Sequence, residues 1–184
     1  MLAPTVYRSV NGSINWNLKK GFFMDENSFL CVGFGRTDIT APDPIPMGGY
    51  GDPLQRLSEG VLLPLMATCI AVTDPEGQTA LLYTIDHLCT NQDWMEDLRS
   101  AITAATCVPA DRIMLSATHT HSGPDVRDTV GQSHPYYTQF KNALVEAAVE
   151  AMQDRSEAQM STGSTVAENQ NFVRHYVMTD GFMA

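Results

Sequence analysis

Seven prolines and glycines crowd into positions 42–53: Pro42, Pro44, Pro46, Gly48, Gly49, Gly51 and Pro53. Proline fixes φ and removes an amide donor, and glycine weakens any regular element. The stretch therefore excludes helix and central strand and forces a long loop. Apolar residues are 43% of the chain and charged residues 17%, a globular composition, so this loop belongs to a packed domain. A long loop in a compact domain is where function concentrates.

Charge narrows the partners. Eleven basic residues stand against 21 acidic ones, a net −10. That balance argues against nucleic acid, whose binding rests on Lys and Arg neutralising phosphates. It argues equally against a polybasic membrane anchor. The apolar run Val61 to Val72 is broken by Pro64 and Thr68 and is too short to span a bilayer, so no transmembrane segment is expected. The start lacks the basic-then-apolar pattern of a secretory signal, which places the protein in the cytoplasm. Cys31, Cys69, Cys89 and Cys107 form no CxxC pair and sit among apolar neighbours. They read as small buried hydrophobes in a reducing compartment.

Residues 1–23 carry Arg8, Lys19 and Lys20 and no acid, and show no sustained hydrophobic period. They read either as a tail or as upstream message translated in frame. Lys19-Lys20-Gly21 back-translates to a purine-rich tract, and Met24 follows at ribosome-binding spacing. Met24 is the expected start, with residues 24–184 as the domain portion.

From there the periodicities give an order of elements. Phe29 to Phe34 reads as a strand broken by Gly33-Phe34-Gly35. Leu65 to Val72 and Thr79 to Ile85 form a hairpin around Asp74-Pro75-Glu76-Gly77. Asn91 opens a helix with Trp94, Leu98 and Ile102 on one face, stopped by Val108-Pro109. Ile113 to Ala117 is a strand. Pro135 opens a second helix with the stripe Tyr137, Phe140, Leu144, Ala148 and Ala151. Gln159 to Val166 and Phe172 to Val177 read as further strands. The expected fold is α/β, a mixed β-sheet flanked by helices.

The chemistry lies at the end of the fourth strand, in His119-Thr120-His121 followed by Ser122-Gly123-Pro124. On a strand, residues i and i+2 point the same way, so two imidazoles so spaced converge. They either share one metal ion, or one ligates while the other holds a water or a transition-state oxygen. Two histidines satisfied by local hydrogen bonds are the structural alternative. A metallo-β-lactamase pattern would need Asp and His at 123 and 124, where Gly and Pro stand. An amidohydrolase barrel places its HxH on the first strand, whereas several elements precede this one. Asp86, at a strand end, reads either as a partner for a ligand histidine or as a turn acid. His134 and His175 read as surface residues. No dinucleotide fingerprint and no GxSxG elbow occur.

Four stretches taken together, Val32–Thr40, Met47–Gly51, Thr84–Asp86 and Ser116–Pro124, resemble the N-terminal part of the neutral/alkaline (non-lysosomal) ceramidase family over roughly residues 30–180. The resemblance implies a zinc-dependent amidase that hydrolyses the N-acyl bond of ceramide or a related acyl-amide. It implies His119 as a zinc ligand, His121 as a catalytic neighbour and Arg174 as a substrate-facing residue. Asp125-Val126 departs from the family's Gly-Gly after Gly-Pro and is expected to alter the pocket edge. The family's later His, Glu and Tyr ligands and its C-terminal sandwich domain lie beyond the matched stretches, so the chain reads as a portion of the enzyme, inactive by itself. A different HxH metal hydrolase of small amides or esters, and a non-catalytic ligand-binding relative, are the alternatives.

Overall fold

The computed structural model describes residues 29–42, 44–127, 129–161, 163–168, 179 and 181. Five strands form one mixed sheet: β1 (Leu30–Asp38), β2 (Met66–Thr73), β3 (Thr79–Ile85), β4 (Ile113–Ala117) and β5 (Ser156–Ala158). Their order across the sheet is β4-β3-β2-β1-β5. The β1–β2, β2–β3 and β1–β5 pairs are antiparallel, and β3–β4 is parallel. The two helices are α1 (Gln92–Thr106), which carries the chain from β3 to the parallel β4, and α2 (Pro135–Gln153).

Local chemistry accounts for the element ends. Gly77 takes φ 83° in the β2–β3 turn, and Asp74 Oδ1 accepts from the Gln78 amide. The Asn91 side chain caps α1 by accepting from the Asp93 amide. Cys107, left-handed at φ 61°, closes the same helix before Pro109 is reached. It is exposed, which corrects its reading as a buried hydrophobe; Cys69 is buried, and none of the four cysteines is in a disulfide among the described residues. His134 caps α2 by accepting from the Tyr136 amide, ahead of Pro135.

Both helices lie on one side of the sheet, and the core forms between them. Trp94, Leu98 and Ile102 of α1 and Phe140, Leu144, Ala147 and Ala151 of α2 are buried against Cys69, Leu81, Tyr83 and Ile85. Burial of each large side chain contributes roughly 2 kcal/mol. The opposite sheet face carries Phe34, Ile70, Leu82 and Met114 in one register row, exposed or half-buried.

Two expectations about strands change. Gly33 and Gly35 do not break β1; they lie inside it. A Cβ on Gly33 would sit 2.2 Å from the Ala151 carbonyl oxygen, and one on Gly35 2.0 Å from that of Ala147. The glycines admit the backbone of α2, a tertiary demand that local propensity does not contain. The final described strand is Ser156–Ala158, not Gln159–Val166: residues 159–161 and 163–166 carry no strand. Among the described residues strand β5 pairs with Leu30–Val32. Beyond it the β1 edge is satisfied by α2, where Asp154 accepts from the Phe34 amide and Glu150 from the Arg36 amide. The stretches 1–23 and Phe172–Val177 lie outside the described residues.

Candidate functional site

The sheet delivers its chemistry at the end of β4. The strand stops at Ala117, the Thr118 amide donates to the Ile85 carbonyl, and the Thr118 hydroxyl donates to Asp86 Oδ1. Asp86 Oδ2 accepts from the Met66 amide. Asp86 therefore ties the ends of three strands together. Of the two roles open to it, the structure gives the turn acid.

His119 follows in a left-handed conformation, φ 64°. Non-glycine residues hold such a conformation at about 1–2 kcal/mol, and it persists only where the surroundings over-determine it. Here the imidazole supplies the determinant: His119 Nδ1 lies 2.7 Å from the Leu88 carbonyl oxygen. A carbonyl only accepts, so Nδ1 carries the proton and Nε2 keeps its lone pair. The residue is exposed, and in the neutral ring that lone pair is the one left for a ligand.

His121 is brought beside it, with ring centroids 5.0 Å apart and planes at 75°. The convergence expected from strand alternation is present, although its cause differs. Both rings lie beyond the strand, and the left-handed turn at His119 is what brings them together. His121 Nδ1 is buried and has no hydrogen-bond partner among the described residues. Gly49, at φ 105°, packs against this ring so closely that a Cβ would lie 2.6 Å from His121 Cγ. Tyr50 meets it edge-on at 4.8 Å.

The Pro/Gly loop is thus the second wall of the site. The Gly48 amide donates to the Gly123 carbonyl, and the Asp125 amide to that of Pro46. Arg56 spans the two segments: Nη1 donates to the Gly48 carbonyl and Nη2 to the His121 carbonyl, each at 2.8 Å. Its guanidinium also lies 5.1 Å from the Tyr50 ring centroid. Arg56 and Tyr50 were not singled out by residue pattern. The signals were the breaker-rich loop and, within it, the Met47–Gly51 stretch of the resemblance, which contain Tyr50 and precede Arg56.

Asp125 and Val126 are fully buried beneath the loop, so their departure from Gly-Gly changes what supports the site and not its rim. The Asp125 Oδ2 atom accepts from the Thr129 hydroxyl. A cavity of about 570 Å³ is lined by Gly60–Leu65, Thr40 and Met47 together with Thr120 and Ser122. His119 and His121 do not line it. Their two neighbours of even number face the cavity, while the imidazoles face Leu88 and Gly49.

His87 is buried, and its Nε2 lies 2.7 Å from the Tyr136 hydroxyl, which donates to the Ile39 carbonyl. Desolvation pushes its pKa down to about 4 against a smaller opposing pull from Asp86, so it is neutral at pH 7. Arg174 and His175 lie outside the described residues. Among the described residues no group of three or more His, Cys, Asp or Glu side chains could hold a metal ion. No described helix is long and apolar enough to cross a membrane.

Two comparisons with known proteins follow this geometry. The family model for neutral/alkaline non-lysosomal ceramidase, N-terminal, matches residues 30–177. A solved structure, "Ceramidase complexed with C2", aligns with a TM-score of 0.62 at 19% identity, over 71% of this chain and 22% of that one. At that identity the likeness establishes a shared fold. The chain spans about a fifth of the length of the ceramidase it matches.

Proposed function

The chain belongs to the neutral/alkaline non-lysosomal ceramidase family, and on that premise we propose that its histidine loop forms part of the active site of a zinc-dependent hydrolase acting on the N-acyl bond of ceramide or a related acyl-amide. One observation carries the reading. The His119 and His121 rings lie 5.0 Å apart, and the Leu88 carbonyl engages Nδ1 of the first, which leaves Nε2 of this exposed residue for a ligand. That is how a ligating histidine is prepared: the second ring nitrogen is committed to an acceptor, which fixes tautomer and direction.

The donor chemistry fits zinc in part. His119 would hold the ion through Nε2. A catalytic zinc takes three protein ligands in the usual case, and the described residues supply no such set. When bound, zinc supplies Lewis acidity toward an amide carbonyl and toward water at neutral pH. His121 then acts as the catalytic neighbour. Its imidazole has no hydrogen bond at Nδ1 among the described residues, so that nitrogen is not spent on structure, and histidine is the side chain that most often serves as general acid or base. Arg174 keeps its proposed substrate-facing role on the resemblance alone.

The test is loading and turnover. The 184-residue chain is expected to bind zinc weakly and to leave acyl-amides intact. Stoichiometric zinc by plasma mass spectrometry, abolished by His119→Ala, would overturn the weak-binding expectation. A family enzyme that carries this histidine loop, assayed on a fluorescent ceramide and on soluble N-acyl amides, is expected to lose turnover with chelator. Chelator-insensitive hydrolysis would refute the zinc reading.

A further inference from the structure

We propose that Arg56, acting through Tyr50, is the positioning residue of this site and sets the direction of the His121 imidazole. The inference rests on the reading of His119 and His121 as the working pair.

The two histidines are held by different means. His119 is oriented by its own hydrogen bond to the Leu88 carbonyl. His121 has no equivalent bond at Nδ1 among the described residues. Among the described residues its ring is set by packing, from Gly49, from Tyr50 in a T-shaped contact and from the His119 ring. Yet Tyr50 is 64% exposed, so burial does not hold it in place. It is also flanked by Gly49 and Gly51, both at positive φ. Glycine adopts either sign of φ at little cost, so the backbone on both sides of Tyr50 has alternatives.

Arg56 removes those alternatives. One planar cation touches three groups around His121: the His121 carbonyl, the Gly48 carbonyl just before Gly49, and the face of Tyr50. The fork fixes the spacing of the two backbones, and the cation–π contact holds the tyrosine ring against the imidazole. Lysine carries the same charge but cannot reproduce the fork. The backbone straps from Gly48 to Gly123 and from Asp125 to Pro46 do not involve the Arg56 side chain, so the two loops stay joined without it.

The test is NMR on the isotopically labelled 184-residue chain, with the imidazole signals assigned by His119→Ala and His121→Ala. In Arg56→Lys and Arg56→Met the contact between the Tyr50 and His121 rings, read as a nuclear Overhauser effect, is expected to vanish. The His119 signal and the far-UV spectrum are expected to stay in place. A second variant, Tyr50→Leu, keeps the fork and removes the ring. It is expected to shift the His121 ring signal while leaving the Gly48 and Gly123 amides unmoved. Survival of the Tyr50–His121 contact in both Arg56 variants, or an unmoved His121 signal in Tyr50→Leu, would overturn the proposal. Added zinc separates this outcome from the functional reading. If zinc moves no histidine signal in the unsubstituted chain, the metal reading fails while the positioning result still stands or falls on the ring contact.

Discussion

The left-handed backbone at His119 makes a prediction whose sign is set by geometry. Consider two substitutions, His119→Gly and His119→Ala. Both delete the imidazole and its bond to the Leu88 carbonyl, a loss of about 1 kcal/mol. They differ only in what they place at φ 64°. At an ordinary extended or helical position alanine is the better residue, by roughly 0.5–1 kcal/mol. In the left-handed region the order inverts, because a Cβ there crowds the following carbonyl at about 1–2 kcal/mol. The glycine variant is therefore expected to be the more stable of the two by about 1 kcal/mol. Relief of strain and loss of the hydrogen bond nearly cancel in it, so it should unfold close to the wild type. For a chain of this size 1 kcal/mol corresponds to about 2–4 °C in Tm. Urea titrations and thermal melts of the three proteins measure the difference, with equal m-values required for comparison. An alanine variant as stable as the glycine variant would refute the left-handed assignment, and with it the reason given for the convergence of the two rings.

Three further outcomes follow from packing and burial. Gly35→Ala places a Cβ 2.0 Å from the Ala147 carbonyl, which is helix backbone and cannot swing aside; a loss of about 3 kcal/mol is expected. Gly60→Ala, with no atom within 4 Å, is expected to stay within about 0.5 kcal/mol, and equal effects of the two in urea would contradict the close approach of α2. Gly49→Ala and Gly51→Ala both place alanine at positive φ, but only the first meets His121; only Gly49→Ala should move the His121 ring signals in NMR, and movement in both would deny the contact its specificity. His87, held down to about 4 by burial, is neutral in the fold, whereas the unfolded chain takes up this proton near pH 6.5. Its stability contribution is complete above pH 6.5, declines as pH falls toward 4 and is gone below, a span of about 3 kcal/mol. Subtracting the stability–pH curve of His87→Gln from that of the wild type isolates this fall, and parallel curves would show that His87 is not the group responsible.

What was legible before the structure was whatever depends on near neighbours in the chain. The α1 face of Trp94, Leu98 and Ile102, the cap at Asn91, the hairpin turn at Gly77 and the proline that opens α2 are all local, and each is present. What failed depended on contacts across the sheet. Gly33 and Gly35 look like breakers until α2 is laid over them, when they become the condition for its approach. Strand β5 is three residues of Ser, Glu and Ala without alternation, and only its pairing with Leu30–Val32 makes it a strand. At the site, the nearness of the two imidazoles was readable from their spacing, but their support was not. The partner of His119 is a backbone carbonyl 31 positions away, and no side-chain motif encodes a carbonyl.

The same reasoning accounts for the run of prolines and glycines that dominates the sequence. A loop that only connected β1 to β2 would not need glycine at 48 and 49. A loop that must press its backbone against an imidazole does: at Gly49 any side chain would occupy the space of the His121 ring, and at Gly48 a Cβ would lie 3.3 Å from buried Asp125 Oδ1. The Met47–Pro124 bridge and the Gly48–Gly123 hydrogen bond then join this backbone to the histidine segment, so neither loop reaches its observed shape without the other. Glycine at 49 is therefore a consequence of where the His121 ring lies. Gly49 marks where a side chain is excluded, and Tyr50 and Arg56 beside and after it are residues with a contact to make.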